Sequence, residues 1–411
     1  MAHLREEVNV LLPKLEEVKR RESKVDLWDW GTPSSSLGGI VNEYNETGWI
    51  GDLNLDKVIS LAIEEGASDI HITPERTIAF TINGDISIRE EFPHPDAQTM
   101  FELLKKILTN VQYSEYVKTM DFEFAYVVKR GPYRHRRLRG KAGRTMDMEY
   151  LVFRTISDEI PSTESLSVES EIKDWVRSRD GLVLICGATG TGKSTTLASV
   201  LRDVQLTEPK KIITIEKPIE YEYPDDGPAL VVQRSVGIDC VSFYDALTGA
   251  LRESPDLILL GEVRDTEEVS ELIRAAETGH LAISTMHTNS VATTINRIQS
   301  LFSGNERKRI LSTLSDTLVG VCNQVLVKTI DGRGRFACRE LLTIDNETRK
   351  LIAAGDAEGI RTYLFEHKKT MEYKLASAAI SGRCTRDEAR SKASRIADFD
   401  FAYSELKKKK K

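Results

Sequence analysis

The sequence predicts an α/β protein in which a small α+β domain precedes a core built on a mostly parallel β-sheet. Two observations carry this fold class. Short apolar runs alternate with helix patterns over residues 182–328, and an alternating hairpin pattern occupies residues 68–89. Apolar strands separated by helices are typical of a parallel sheet covered on both faces. The expected divisions are an N-terminal extension and linker at 1–48, the small domain at 49–157, a linker at 158–168, the core at 169–345 and a helical C-terminal segment with a lysine tail at 346–411.

The composition is that of an ordinary globular protein. Of 411 residues, 40% are hydrophobic and 29% are charged, and the formal net charge is −7. An acidic balance argues against direct binding of nucleic acid by the whole surface. The five cysteines lack metal-ligand spacing, which favours buried reduced thiols. No apolar run reaches the roughly 20 residues that a membrane-spanning helix needs, so we expect any membrane association to be peripheral and to depend on partners.

The small domain is predicted to open with a helix and a hairpin. Leu55, Val58, Ile59, Ala62 and Ile63 recur at helical spacing. Two alternating runs, 77–82 and 85–89, are joined by Asn83-Gly84, a strong hairpin signal. The remaining pattern predicts a helix at 97–109 and strands at 121–128, 133–138 and 148–155.

Residues 129–144 form an unusually basic stretch, with eight Lys or Arg in sixteen positions. Three interpretations stay open. The stretch is a solvated loop, or it contacts nucleic acid, or its arginines reach a phosphate bound by a neighbouring subunit, as arginine fingers do.

The core contains strand runs at 182–186, 211–215, 257–260, 281–285 and about 324–328. Ligands of such sheets bind beyond the carboxyl ends of the strands. The chemistry is therefore expected where these five runs end.

The first strand run leads into the motif G-x-x-x-x-G-K-[ST], followed by a helix pattern. Backbone N–H groups of such a loop cradle phosphate oxygens, and the helix N-terminus adds its positive dipole end. The motif predicts a site for a nucleoside triphosphate and Mg²⁺. Lys193 would reach the β- and γ-phosphates and Ser194 would ligate Mg²⁺. The predicted binding residues are Gly187, Ala188, Thr189, Gly190, Thr191, Gly192, Lys193, Ser194 and Thr195.

Two glutamates follow core strands and are candidates for catalysis. Glu216 ends the run 211–215 and is placed to orient or deprotonate the attacking water; the alternative is a surface charge that ends a strand. Glu262 follows Leu257 to Leu260 and Gly261, as in a Walker B strand that ends in Glu rather than Asp. It is expected to hold Mg²⁺ through water, together with Ser194, or to polarise the nucleophile.

Two histidines flank the strand run 281–285. His287 follows the run, where a sensor of the γ-phosphate would lie, whereas His280 precedes it and is interpreted as structural.

Taken together, these segments resemble the PilT-like ATPases of type II and type IV secretion over about residues 50–345. The similar segments are SDIHITPERTIAFTINGDI, LVFRTI, LVLICGATGTGKSTTLAS, KIITIEKPIEYEY, DALTGALRESPDLILLGEVRDTEE and AAETGHLAISTMHTNS. The Walker A motif of the family corresponds to 187–194, its Asp box to 216–220, its Walker B to 257–262 and its His box to 279–287. The C-terminal QVLVKTIDGRGRFACRELLTID looks most like the DotB-type ATPases of type IVB secretion and the TraJ-type ATPases of conjugation.

The resemblance implies a PAS-like N-terminal domain, a RecA-like ATPase core and a homo-hexameric ring. It also implies that arginines of the N-terminal domain enter the nucleotide site, with Arg136, Arg144 and Arg154 as candidates, and that Arg252 and Arg264 are catalytic. Lys217 departs from the family, because similar proteins usually carry Asp there. Glu216 and Glu220 are retained, so we expect activity to survive.

The main functional hypothesis is a hexameric ATPase that powers type IV secretion, of the type IVB or conjugative kind, with inner-membrane components of that apparatus as partners. The alternative within the family is a motor for pilus assembly or retraction. A RecA-like nucleic-acid translocase and a nucleotide-gated scaffold with negligible hydrolysis are further alternatives.

Overall fold

The computed structural model describes residues 49–50, 53–82, 84–128, 131–134, 136–155 and 159–409 of the chain. The predicted extension at 1–48, Asn83 of the hairpin turn and the last two lysines of the tail lie outside the described residues.

The first part of the described chain forms an antiparallel sheet of six strands in the order β5-β4-β3-β8-β7-β6, and a separate pair, β1 with β2. Its elements are β1 Trp49–Ile50, β2 Leu53–Asn54, α1 Leu55–Glu64, β3 Asp69–Ile72, β4 Ala79–Ile82, β5 Asp85–Ile88, α2 Ala97–Ile107, α3 Asn110–Thr119, β6 Asp121–Val127, β7 Arg137–Thr145 and β8 Met148–Thr155.

The helix and hairpin predicted at the start of this part are confirmed. The side chain of Asn54 accepts a hydrogen bond from Lys57 N and caps α1. The apolar residues of α1 that were predicted to face the core are buried, except for Ile63 at the margin. Strands β4 and β5 pair through Ile82 and Asp85, as the Asn-Gly signal requires. The predicted helix 97–109 ends at Ile107 because Thr109 and Gln112 form a capping box that starts a second helix, α3.

The interpretation of residues 129–144 as a solvated loop is wrong for the second half of the stretch. Residues 137–145 form strand β7, paired with both β6 and β8, and the strand expected at 133–138 begins only at Arg137. Alternation in β7 buries Leu138, Gly140 and Ala142 and leaves the side chains of Arg137, Arg139 and Lys141 on the other face. The basic residues thus form an ordered row.

The second part of the chain holds a sheet of seven strands in the order β11-β10-β12-β13-β9-β14-β15. All neighbours are parallel except the antiparallel hairpin of β14 and β15, which confirms the predicted fold class. The elements are α4 Ser170–Trp175, β9 Gly181–Cys186, α5 Lys193–Thr207, β10 Lys211–Glu216, β11 Leu230–Ser235, α6 Phe243–Ala250, β12 Leu257–Leu260, α7 Thr266–Glu277, β13 Leu281–Met286, α8 Val291–Ser300, α9 Gly304–Thr317, β14 Leu318–Lys328 and β15 Arg335–Thr343.

The central strands of this sheet are apolar and buried on both faces, so that helices cover it above and below. Two core clusters result: one includes Leu184, Ile213, Leu260 and Leu272, and the other includes Val183. Strands β11 and β15 were not predicted, and β14 begins six residues earlier than the run at 324–328 suggested.

The C-terminal segment is helical, as predicted. Its helices are α10 Asn346–Ala354, α11 Ala357–Glu366, α12 Met371–Ile380, α13 Arg386–Lys392 and α14 Ile396–Lys409. Buried Glu340 of β15 joins this segment to the core, since its carboxylate accepts hydrogen bonds from Val291 N, at 2.7 Å, and Met371 N, at 2.8 Å. These are the first residues of α8 and α12. In the described ranges we find no helix that is both long and apolar enough to cross a bilayer.

Candidate active site

A cavity of about 510 Å³ lies where the carboxyl ends of the central strands meet the six-stranded sheet. The core contributes the phosphate-binding loop and the residues that follow β10, β12 and β13. The antiparallel sheet contributes side chains from β7 and β8. The polar residues that line the cavity include Lys193, Ser194, Glu216, Glu262, His287 and Arg264.

The loop 187–192 connects β9 to α5 and is closely packed from behind. Gly190 and Gly192 have φ of 77° and 81°, a left-handed conformation that favours glycine. A Cβ atom at Gly187 would lie 2.5 Å from the carbonyl oxygen of Gln324, so the close approach to β14 also requires glycine. The loop ends at the N-terminus of α5, the end of a helix that attracts anions.

Lys193 is the first residue of α5 and is buried. Its Nζ atom donates hydrogen bonds to the carbonyl oxygens of Gly187, at 2.8 Å, and Ala188, at 2.9 Å. Burial lowers the pKa of this amine. The ammonium group therefore lies inside the loop whose N–H groups would hold the phosphates. Thr189, Gly190, Gly192, Ser194 and Thr195 also line the cavity.

Glu216 is the last residue of β10 and faces the cavity. The Thr214 hydroxyl donates a 2.7 Å hydrogen bond to its Oε1 atom. Burial is the main influence on this carboxyl and raises its pKa to about 7, and the Thr214 hydrogen bond acts in the opposite direction. A carboxylate that titrates near neutral pH is suited to general base catalysis, because it can accept a proton at the working pH and release it again.

Glu262, placed by the end of β12, lies between Arg264 and His287. Its carboxylate forms an ion pair with Arg264, and its Oε2 atom lies 3.5 Å from Nε2 of His287. The Glu262 side chain is largely buried, whereas those of Arg264 and His287 are exposed. The three predicted residues are therefore brought together at the mouth of the cavity.

The antiparallel sheet reaches the same cavity with arginines. Of the three candidates from the sequence, Arg154 lines the cavity and is held by Asp69, whereas Arg136 and Arg144 do not line it. Arg144 instead donates to the carbonyl oxygen of Asp147. Arg139 of β7 also lines the cavity, and its guanidinium bonds Glu123 at 2.6 Å.

The Asp box, residues 216–220, and the two residues after it bridge the two sheets. Arg137 pairs with Glu222, and Arg139 Nη1 lies 3.9 Å from Glu220 Oε1. The Tyr221 hydroxyl lies 3.0 Å from Thr195 Oγ1 at the start of α5. This segment thus touches both the N-terminal sheet and the start of α5, the helix that follows the phosphate-binding loop.

Arg252, which was predicted to be catalytic, and His280, which was interpreted as structural, both lie away from the cavity. Arg252 is exposed on a short 3₁₀ turn after α6 and does not line the cavity. That turn lies at the opposite edge of the sheet, because the carbonyl of Glu253 accepts a hydrogen bond from Lys211, the first residue of β10. His280 also lies there, where its ring contacts Thr278 and the Ala275 carbonyl.

Sequence reasoning missed three residues of the site. Arg139 sits two positions from Arg137 and Lys141, so strand alternation within the basic stretch was a usable signal. Tyr221 follows the Asp box directly. Gln324 of β14 donates from Nε2 to the carbonyl oxygen of Thr191, at 2.6 Å, and nothing in the sequence marks this contact.

The sequence and the fold are similar to those of known secretion and pilus ATPases. Residues 44–391 match the type II/IV secretion system protein family. The type IV pilus retraction ATPase PilT of Pseudomonas aeruginosa is 34% identical over 345 residues, 83% of this chain and 98% of that protein. The structure of the pilus retraction motor PilT with bound ADP is similar at a TM-score of 0.77 and 34% identity, over 85% of this chain and 99% of that one. The ATPase DotB of Legionella pneumophila gives a TM-score of 0.69 at 29% identity, over 82% and 94%.

Proposed function

The chain belongs to the type II/IV secretion system protein family and is an ATPase, and from this we propose that it is the motor of a type IV pilus. The observation that carries the proposal is the convergence of the phosphate-binding loop, Glu216, Glu262 and His287 on one cavity. Similarity to PilT over almost the whole of that protein supports the pilus assignment.

The sequence alone favoured a type IVB or conjugative secretion motor and kept the pilus motor as the alternative. The relatives support the alternative better, since PilT exceeds DotB in both identity and structural similarity. The secretion motor stays as the second candidate because DotB matches most of this chain.

We assign the binding steps to the loop and the start of α5. Lys193 would leave the Gly187 and Ala188 carbonyls for the β- and γ-phosphates of ATP, to which an ammonium group bonds more strongly. Ser194 and Glu262 both line the cavity and supply the oxygen ligands that Mg²⁺ prefers. Mg²⁺ bound there would neutralise charge that develops on the phosphates.

We assign hydrolysis to the residues that follow β10, β12 and β13. Glu216 orients a water molecule and accepts its proton, for which its pKa near 7 is suited. Glu262 holds Arg264 and His287 at the cavity mouth. His287 would contact the γ-phosphate and report whether it is present.

Movement would arise between the two proposed domains, 49–157 and 169–345, because side chains from both line the cavity. Arg139 and Arg154 would be drawn towards bound phosphate, and the Asp box would follow through Glu220 and Glu222. Release of phosphate would relax this closure.

We propose a homo-hexamer, as the family resemblance implies, working at the cytoplasmic side of the inner membrane through protein partners. Arg252, which lies away from its own cavity, would serve catalysis only if it reached the site of a neighbouring copy. Size measurement by light scattering with and without ATP tests the hexamer.

One experiment separates the pilus motor from its alternatives. The gene is deleted, and the strain is complemented with wild type, Lys193→Ala or Glu262→Gln. The pilus assignment predicts that the deletion and both variants lose pilus-dependent surface movement while secretion and DNA transfer continue. Loss of secretion or conjugation with normal pili would support the second candidate. Full function of Glu262→Gln would support the nucleotide-gated scaffold, and steep salt-dependent DNA binding by the pure protein would support the translocase.

A further inference from the structure

A buried polar network lies behind the phosphate-binding loop, on the side away from the cavity mouth. Its centre is Arg339 of β15, which is only 2% exposed. Burying a guanidinium is costly unless every donor finds an acceptor. All five N–H groups of Arg339 have one: Gln324 Oε1, the Ser167 carbonyl, Glu169 Oε2, the Leu166 carbonyl and Thr196 Oγ1.

Gln324 connects Arg339 to the loop. Its Oε1 atom accepts hydrogen bonds from Arg339 Nε, at 2.7 Å, and from Thr196 Oγ1, at 2.9 Å. Its Nε2 atom donates to the Thr191 carbonyl at 2.6 Å. The same atom would lie 3.2 Å from a Cβ at Gly192. One amide group therefore holds both the loop and the first turn of α5.

Arg339 also reaches residues 166–169, which belong to the segment that joins the two sheets in the chain and which pack against the core through Leu166 and Val168. The network thus runs from this interdomain segment, through Arg339 and Gln324, to the loop that would hold the phosphates. The Oε1 and Nε2 atoms of Gln324 are both hydrogen-bonded. A change in the position of Arg339 would therefore shift the Gln324 amide, and with it the hydrogen bond to the Thr191 carbonyl.

We propose that Gln324 is a positioning residue for nucleotide binding and that Arg339 makes its contact with Thr191 dependent on segment 166–169. The inference rests on the ATPase activity stated above and adds a route by which the position of the segment that joins the two domains changes nucleotide affinity.

Two substitutions of Gln324 test the positioning role, with the Kd of ADP and ATP and the melting temperature as measurements. Both Gln324→Glu and Gln324→Met lose the donor to Thr191. Gln324→Glu keeps the acceptor for Arg339, so it should retain the melting temperature, whereas Gln324→Met should lower it. We expect both to raise the nucleotide Kd by about threefold to tenfold, the effect of one hydrogen bond. Weaker binding in Gln324→Glu alone would assign the effect to its charge and overturn the proposal, as would unchanged Kd in both.

A third substitution tests the route from the interdomain segment. Glu169→Ala removes an acceptor of Arg339 that does not touch the loop, and Glu171→Ala, which is exposed two residues further on in the first turn of α4, is its matched control. We expect only Glu169→Ala to raise the nucleotide Kd, by about twofold to fivefold. Equal Kd values would contradict the dependence on this segment. Lys193→Ala is measured alongside: if it also leaves binding unchanged, the proposed ATP site itself fails, and this outcome differs from failure of the network alone.

Discussion

His287 Nε2 lies 3.5 Å from Glu262 Oε2, so the residue after β13 and the residue near the end of β12 meet at the cavity mouth. Their strands are neighbours and run parallel, and this places both side chains at one edge. The contact links the side chain that would sense the γ-phosphate to the carboxylate that would support its transfer.

His287→Ala should therefore reduce turnover more than binding. We expect kcat for ATP to fall by about tenfold to 100-fold, while the Kd of ADP, which lacks the γ-phosphate, stays within about twofold. His280→Ala, at the far edge of the sheet, is the control. An unchanged kcat in His287→Ala would remove this residue from the catalytic set.

The pKa of Glu216 predicts how kcat/KM changes on the acid side of its pH profile. Because a base must be deprotonated, kcat/KM should rise with pH through about 7, the pKa to which burial raises this carboxyl. Thr214→Val removes a hydrogen bond that lowers the pKa, so its rising limb should move to higher pH. Thr248→Val on α6 is an isosteric control that should leave the profile unchanged. Identical profiles for wild type and Thr214→Val would argue against Glu216 as the base.

The raised pKa of Glu340 predicts that the free energy of unfolding depends on pH. Burial raises its pKa from 4.5 to about 7. Between these values the folded protein holds a proton that the unfolded chain releases, so the free energy of unfolding should fall as the pH rises, by about 3 kcal/mol for this group.

Thermal unfolding at pH 5 and pH 8 measures this effect. Glu340→Gln cannot titrate and should show a smaller loss of melting temperature between the two pH values than the wild type. Glu347→Gln, exposed on α10, should behave as the wild type does. The same pH dependence in all three proteins would contradict the assignment to Glu340.

Lys217 lines the cavity beside Glu216 but is exposed. Lys217→Asp, which restores the residue usual in similar proteins, should change KM for ATP and leave kcat within about twofold. Steady-state kinetics test this expectation. A large change in kcat would show that the side chain takes part in the chemical step.

The sequence was sufficient for the parts of the site that follow apolar strands. Glu216, Glu262 and His287 were predicted because parallel strands end at one edge of a sheet. Arg139 was missed because Gly140, Gly143 and the neighbouring cationic residues are not typical of a β-strand. This strand is stabilised by hydrogen bonds to the strands on both of its sides. Asn323 likewise separates the apolar residues at the start of β14 from the predicted run at 324–328, and the side-chain amides of Asn323 and Gln324 donate to carbonyls that are distant in sequence. Such contacts depend on tertiary packing and leave no local pattern.

The most direct test of the account is ATP turnover and ATP binding by purified Glu262→Gln, with Glu267→Gln on the exposed side of α7 as the control. We predict that Glu262→Gln binds ATP with a Kd within about threefold of the wild-type value. Its rate of ATP hydrolysis should be lower than that of the wild type by a factor of about 100 or more, whereas Glu267→Gln should bind and hydrolyse ATP as the wild type does. Hydrolysis at the wild-type rate by Glu262→Gln would contradict the claim that the residues gathered at this cavity form the hydrolytic site.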